Sequence, residues 1–290
     1  MTKRTGRRSS QNMPKFYNKT RQSPSIPRKL LREGKFYLLP IYYLLLTSEL
    51  AREGIKNSGS YQFADHIYGN QPKGKFVIGK ILDSILLKLK SSRSLRSRYI
   101  HAKEEIYNLI GNVQHKEPID ILAVPCGLGR ELFEVAHELK IAGHPFYKRI
   151  RWHGIDLDHK LIEVLGKKND HHKHQMFFWQ GDAFNEESYR KNKKYDMIIC
   201  TGFTEFLSDE DTLRFYKIAH NNLKEGGIFF TSGMMPHKFS EYLMKNIAEL
   251  YTHYRSEDFL KILALRAGFN TIRTYQNELQ TILIGVKDQL

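Results

Sequence analysis

The chain has 290 residues, an apolar share of 41 %, two cysteines and a formal net charge of +15. That length holds one large domain or one domain with appendages, and the apolar share is that of a soluble globular protein with a packed core. Cys126 and Cys200 exclude a disulfide framework and a cysteine-based metal site, so a reducing, cytoplasmic setting is expected, with contact at a membrane periphery as the second reading.

The charge is uneven. Residues 1–35 hold eleven Lys/Arg against one acid, Glu33. This segment is rich in Ser, Pro, Asn and Gln and poor in apolar residues, so it is expected to be a basic flexible tail that buries too little surface to order itself. No apolar run follows its charges promptly, so it does not read as a secretory leader. Such a tail attracts RNA or anionic lipid through nonspecific electrostatics.

Residues 36–110 read as a helical cap. Its first stretch, "FYLLPIYYLLL" from Phe36 to Leu46, is too short to span a bilayer and contains Pro40. A buried cap helix is expected there, with a membrane-surface helix as the alternative. The Gly, Asn and Pro residues of "NSGSYQFADHIYGNQPKG" (57–74) predict loops. Helical spacing returns with Ile81, Leu82, Ile85, Leu86 and Leu89, and again with Ile100, Ile106, Tyr107 and Ile110.

Residues 111–290 alternate between strand and helix patterns. Strands are predicted at Ile119–Val124, Ile150–Ile155, Met176–Trp179, Asp196–Cys200, Gly227–Ser232, Thr271–Tyr275 and Thr281–Val286, and helices at Arg130–Leu139, Lys160–Lys167, Glu210–Leu223 and Glu257–Ala267. The alternation predicts an α/β domain with a mainly parallel sheet covered on both faces. A short polar connection joins the last two strands and permits only an antiparallel pair.

In open parallel sheets ligands bind beyond the carboxyl ends of the strands. The first strand ends in "PCGLG", where Gly127 and Gly129 let the backbone approach a ligand and the helix beginning at Arg130 aims its amides at it. The second ends in "GIDLD", with Asp156 placed to grip ribose hydroxyls and Leu157 beside it. "WQGDAF" follows the third strand. Its Asp182 can accept from an exocyclic amine, and Ala183 leaves room for a flat ring. "CTGFTEFL" follows the fourth and brings Thr201, Gly202, Phe203 and Glu205 toward the reacting end. A dehydrogenase-type fingerprint is excluded, because Leu132 stands where the third glycine of Gly-x-Gly-x-x-Gly belongs.

This ordered set resembles the class I S-adenosylmethionine-dependent methyltransferase superfamily over about residues 111–290: "AVPCGLG" as the glycine loop, "GIDLD" as the ribose acid, "GDAF" as the adenine site, "LKEGGIFFTSG" as the fifth strand, and "ALRAGFNTIRTY" and "QTILIGVKD" as the last two. "SGSYQFADHIYGN" together with this core is similar to a bacterial group of methyltransferases without an agreed substrate. The resemblance implies a seven-stranded Rossmann-like sheet with an antiparallel last strand, and S-adenosyl-L-methionine held by Pro125, Cys126, Gly127, Gly129, Arg130, Asp156, Leu157, Asp182, Ala183, Thr201 and Gly202. The family loop usually begins acid-x-Gly, whereas this chain has Ala123 and Pro125. The departure concerns the methionine end of the donor, where Arg130 or a polar residue of the cap would serve instead. Proline at 125 fixes φ and removes a donor, and Cys126 reads as a small packed residue.

Methyl transfer needs in-line alignment and exclusion of water, with a general base for a hydroxyl acceptor. Glu205 and His66 are the candidate catalytic residues. Asp65 is weighed beside them, with Tyr61 and Tyr68 as positioning groups. No metal is expected: "NDHHKHQ", with His171, His172 and His174, reads as a solvated loop. By family analogy, the absence of an Asn/Asp-Pro-Pro-aromatic motif after the fourth strand disfavours amino methylation of adenine or glutamine. The absence of a Pro-Cys pair there disfavours carbon-5 pyrimidine methylation. The aromatic, leucine-rich stretch from Phe36 to Tyr68 favours a small-molecule or lipid-like acceptor. An RNA methyltransferase guided by the basic tail, and a non-catalytic donor-binding module, are the alternatives. The sequence gives no oligomeric state.

Overall fold

A computed structural model of the chain describes residues 25–56, 61–113, 118–168, 175–190, 193–237, 241–242, 244–249 and 251–288. Seven strands form one sheet: β1 (Ile119–Ala123), β2 (Ile150–Asp156), β3 (Met176–Gln180), β4 (Tyr195–Cys200), β5 (Leu223–Met234), β6 (Thr271–Gln276) and β7 (Gln280–Val286). Their order is β3-β2-β1-β4-β5-β7-β6. The β1–β5 neighbours pair parallel, and β7 runs antiparallel to both β5 and β6. The strand order reverses between β1 and β4, so the crevice beyond their carboxyl ends is the expected ligand position.

The side-chain alternation of β1 splits the core into two layers. Ile119, Ile121 and Ala123 point into a cluster with α6 (Lys90–Asn112), α7 (Arg130–Ile141) and α8 (His159–Lys168). Leu122 points into the opposite cluster, built with α9 (Asp209–Asn222) and α10 (Glu257–Ala267). Serine caps start two of these helices: Ser208 accepts from the Asp211 N–H at 3.1 Å and Ser256 from the Phe259 N–H at 3.2 Å.

The N-terminal region departs from three expectations. Residues 1–24 lie outside the described part, but Ile26–Arg32 of the presumed tail form helix α1. Ile26 and Leu30 are buried against Leu38, and Lys29 pairs with Glu249 at 3.1 Å, so local apolar spacing outweighs the segment's overall composition. Phe36–Leu46 is not a buried helix. It is a 3-10 turn (Phe36–Leu38) and a short helix, α2 (Leu39–Leu45), that buries none of its residues. The segment read as loop, 57–74, contains helix α4 (Tyr61–Gly69), which follows α3 (Glu49–Lys56). The Gly and Asn residues flank that helix rather than interrupt it, and residues 57–60 lie outside the described part.

Helices α5 (Phe76–Lys88) and α6 stand where the spacing predicts them. α6 is not confined to a cap, because Ala102, Ile106, Leu109 and Ile110 are part of the sheet's own core. Of the α5 residues that carry that spacing, Ile81, Ile85 and Leu89 are exposed, whereas Gly79, Asp83 and Leu87 are buried. Among the described residues no helix is long and apolar enough to cross a membrane.

Candidate active site

Beyond β1 the chain is laced between its two neighbours. The Val124 N–H donates to Ile199 O at 2.9 Å on β4, and the Cys126 N–H to Ile155 O at 2.8 Å on β2. The loop then turns through Gly127 and Gly129, at φ +49° and +55°. Gly129 is the N-cap of α7. At Gly127 both the backbone conformation and space call for glycine, because a Cβ there would lie 3.3 Å from the Tyr61 Cβ. The result is a cavity of ≈ 300 Å³ at the mouth of the sheet, within the range of about 300–1,000 Å³ typical of ligand sites.

The cavity gathers Pro125, Cys126, Gly127, Gly129 and Arg130 from the first strand end, Asp156 and Leu157 from the second, Ala183 from the third, and Thr201 and Gly202 from the fourth. Asp156 accepts from the Gly127 N–H at 3.0 Å and the Asp158 N–H at 3.1 Å, which ties the end of β2 to the glycine loop. Burial pushes its carboxyl above the usual range. Cys126 is buried and its thiol is likewise pushed up by burial, in keeping with a packing role. Arg130 is held by Glu134 at 2.7 Å and Asp65 at 3.1 Å.

Asp182 is placed differently. It is not among the lining residues, although Gly181 and Ala183 on either side are. Its Oδ1 accepts from the Phe184 N–H at 2.9 Å and its own N–H donates to Ser188 Oγ at 3.0 Å, the local pattern of a turn-forming aspartate.

Helix α4 and Arg98 of α6 close the cavity on the other side. Tyr61, Ala64, Asp65 and Tyr68 recur at i, i+3, i+4 and i+7, so one stripe of α4 faces the cavity, while Ile67 is buried away from it against Leu50 and Leu87. The Arg98 guanidinium donates to the Tyr68 hydroxyl at 2.9 Å and to Glu205 at 3.2 Å. Burial opposes its charge, but Tyr68 and Glu205 more than offset that. Gly202, at φ +77°, leaves room for this guanidinium: a Cβ there would sit 3.2 Å from Arg98 Nη2.

Residues 47–260 match the family described as "Putative methyltransferase". The chain belongs to this methyltransferase family. Escherichia coli K12 protein YnbC is 23 % identical over 269 residues, which cover 85 % of this chain and 45 % of YnbC, so the chain spans under half of that relative's length. Among solved structures, one described as a possible exported protein from Bordetella parapertussis is similar with a TM-score of 0.73 at 18 % identity, covering 91 % of this chain and 93 % of the other. Magnesium protoporphyrin IX methyltransferase from Synechocystis PCC 6803, solved with bound SAH, gives a TM-score of 0.50 at 16 % identity, covering 68 % and 87 %. At those identities the structural likeness concerns the fold: the α/β sheet with its antiparallel end is a methyltransferase sheet.

Of the methyltransferase's two catalytic candidates, neither lines the cavity. Glu205 is buried, with its carboxylate engaged by Arg98. His66 is buried on another face of α4, where its Nε2 lies 2.9 Å from Gln71 O and 3.7 Å from Asp83. Proximity in sequence to strand end four and to the cap did not fix the direction in which these side chains point. Asp65, weighed beside them, does line the cavity, as do Tyr61 and Tyr68. The His171–His174 cluster lies outside the described residues.

Two charged lining residues escaped the sequence reading. Glu131, in the first turn of α7, is buried, and burial pushes its carboxyl up. In sequence it reads as an ordinary acid at a helix start. Arg98 sits in a basic run, yet it continues the apolar stripe of Ala102 and Ile106 at four-residue spacing, which marks an inward-facing arginine.

Proposed function

We propose that the protein transfers a methyl group from S-adenosyl-L-methionine to a small-molecule or lipid-like acceptor. The observation that carries this reading is the convergence of the Gly127–Gly129 loop, Asp156 and the buried Glu131 on one cavity at the strand-order reversal. A methyltransferase of similar fold was solved with SAH bound, which supports the same donor here. The residues fit this donor. Gly127 and Gly129 leave backbone room beside it, Asp156 keeps lone pairs free for ribose hydroxyls, and Ala183 leaves space for the adenine.

Glu131 is the reply to the alanine at position 123. It offers a desolvated carboxylate to the methionine ammonium. Arg130, already engaged by Glu134 and Asp65, is left as the partner of the methionine carboxylate at the outer edge. The donor supplies an electrophilic methyl on a positively charged sulfur. The chain's part is alignment and exclusion of water. Thr201, Gly202 and Phe203 form the floor under the acceptor, and Tyr61, Ala64 and Tyr68 cover it. Arg98 fixes the Tyr68 hydroxyl, and Glu205 keeps Arg98 in place. Asp65, paired with Arg130 at 3.1 Å, is the carboxylate on the α4 side of the cavity to which a hydroxyl acceptor would release its proton.

The acceptor class rests on this mainly aromatic and aliphatic cover. The test is incubation with labelled donor and separated lipid and polar metabolite fractions, followed by identification of the labelled product, with calorimetry of donor binding alongside. Labelling confined to added RNA would overturn the acceptor reading, and a wild-type chain that does not bind the donor would overturn the whole.

A further inference from the structure

Helix α5 turns the usual pattern of a surface helix inside out. Val77, Ile78, Ile81 and Ile85 form a stripe along its solvent side, and Phe76 at its start is 81 % exposed. Its protein side instead carries Gly79 and the acid Asp83. This rotation is fixed in two ways. A Cβ on Gly79 would lie 2.3 Å from Thr47 O, so no larger residue fits against that carbonyl. The Asp83 carboxylate, fully buried, accepts from Ser48 Oγ, from the Leu50 N–H at 3.2 Å and from the Lys73 N–H at 2.8 Å. Turning the isoleucines inward would tear a charged group out of three hydrogen bonds.

The exposed charges of α5 and its flanks have one sign. Between residues 73 and 90 the chain has Lys73, Lys75, Lys80, Lys88 and Lys90, all exposed, and its single acid is the buried Asp83. The Lys75 N–H donates to Thr47 O at 2.9 Å, which seats the start of α5 beside the end of α2, where Ile41, Tyr43 and Leu44 are also exposed. An apolar stripe rimmed by lysines, with no exposed acid, has the composition of a helix that lies in a lipid headgroup region.

We propose that α5 docks the methyltransferase on an anionic membrane surface, with Val77, Ile81 and Ile85 entering the headgroup boundary and Lys80 and Lys88 facing lipid phosphates. Charge argues for this occupant over the others. A second copy of the chain would bring lysine against lysine. The sequence before residue 25 is itself basic and without an acid, so it does not complement the face. The inference rests on α5 alone and stands independently of the methyl-transfer reading.

The test is co-sedimentation of the full chain with vesicles of phosphatidylcholine, with and without phosphatidylserine. Binding is expected only with phosphatidylserine and is expected to weaken with salt. Because residues 1–24 also attract anionic lipid, the deciding variant is Ile81→Asp/Ile85→Asp. It is expected to bind about tenfold or more weakly with its melting temperature preserved. Lys80→Ala/Lys88→Ala is expected to lose a similar factor, since each lysine near such a surface contributes about 1 kcal/mol, or about fivefold. An environment-sensitive fluorophore on Ile81→Cys, the two native cysteines being buried, should shift to the blue on phosphatidylserine vesicles. Undiminished binding of the aspartate variant, or no blue shift, would assign lipid contact to the first residues and overturn the proposal. So would wild-type self-association that the aspartate variant abolishes in the absence of lipid binding. Donor calorimetry is expected to be identical for all these variants, which separates this failure from failure of the methyl-transfer reading.

Discussion

Asp120, near the amino end of β1, and Glu131, just past its carboxyl end, are both almost fully buried, at 3 % and 7 % exposure. Their surroundings differ. Burial would raise the Asp120 carboxyl, but His153 at 2.7 Å, Lys193 at 2.8 Å and Arg151 at 2.7 Å hold it well below the usual carboxylate range. Among the described residues Glu131 has no salt-bridge partner, and burial pushes its carboxyl up. One end of the strand has a finished network that stabilises the fold. The other has a buried carboxyl in the cavity wall with no such ion-pair network among the described residues, which suits the proposed contact with the methionine ammonium.

The sharpest way to break this contrast is Asp120→Ala. It strands Lys193, Arg151 and His153 and should cost about 3 kcal/mol of stability, read as a lower denaturant midpoint, with donor affinity unchanged in the surviving fold. A site role for the amino end would appear as lost affinity instead. Asp156→Ala should act mainly on binding: donor affinity about 10- to 100-fold weaker for a lost charge-assisted contact, with a smaller fall in melting temperature than Asp120→Ala, from the freed Gly127 and Asp158 amides. Glu131→Gln should weaken donor binding about tenfold while leaving the empty protein as stable or slightly more stable, because an uncompensated buried charge is removed. If the variant melts markedly lower, Glu131 is structural and the contrast collapses.

The pH dependences differ in sign. The pKa of His153 is lowered by burial from its ordinary value of 6.5, so the unfolded chain takes a proton that the folded chain refuses. Stability should therefore begin to fall as the pH drops below about 6.5. The depressed Asp120 adds a further loss once the pH passes below 3.8, as the unfolded carboxylate protonates and the folded one does not. Glu131 runs the other way. Its carboxyl protonates above 4.5 in the folded state, which favours the fold on acidification but removes the charge that holds an ammonium. Donor affinity should thus fall on acidification, and begin to do so before the pH has dropped to 4.5. The His153→Phe variant should flatten the stability loss near 6.5 and leave the affinity profile alone. This is the smallest of the four effects and the one most sensitive to repacking.

The same contrast explains what the sequence could and could not disclose. The inner strands are legible because strands covered on both faces appear as short apolar runs between turns, and the exposed edge strand β6 because its β-branched and aromatic residues lie one short connection before β7. The glycine loop and Asp156 were legible because strand-end chemistry follows from topology. Asp182 reads identically whether it meets a ligand or closes a turn, and the Phe184 and Ser188 contacts show that it closes a turn beside the cavity. α4 was hidden by the glycines and asparagines around it. Its stripe Tyr61, Ala64, Asp65 and Tyr68 was present in the letters, but a stripe facing a cavity is not apolar enough to announce a helix. α5 is legible as a helix, but not which face it buries, because periodicity gives a stripe and not its direction. Gly79 and Asp83, the residues that set the direction, work through partners near Thr47 and Leu50 that lie some thirty residues earlier in the chain.

Arg98 extends from a helix whose Ala102, Ile106, Leu109 and Ile110 are part of the sheet's core. Wall and scaffold are therefore the same piece of chain. The backbone amides around Arg98 should exchange their hydrogens only when the whole molecule unfolds, whereas those of α4, a nine-residue helix, should exchange through local opening at far lower cost. Entry and exit of a ligand would then run at the pace of α4, and the floor beneath it would keep its shape throughout.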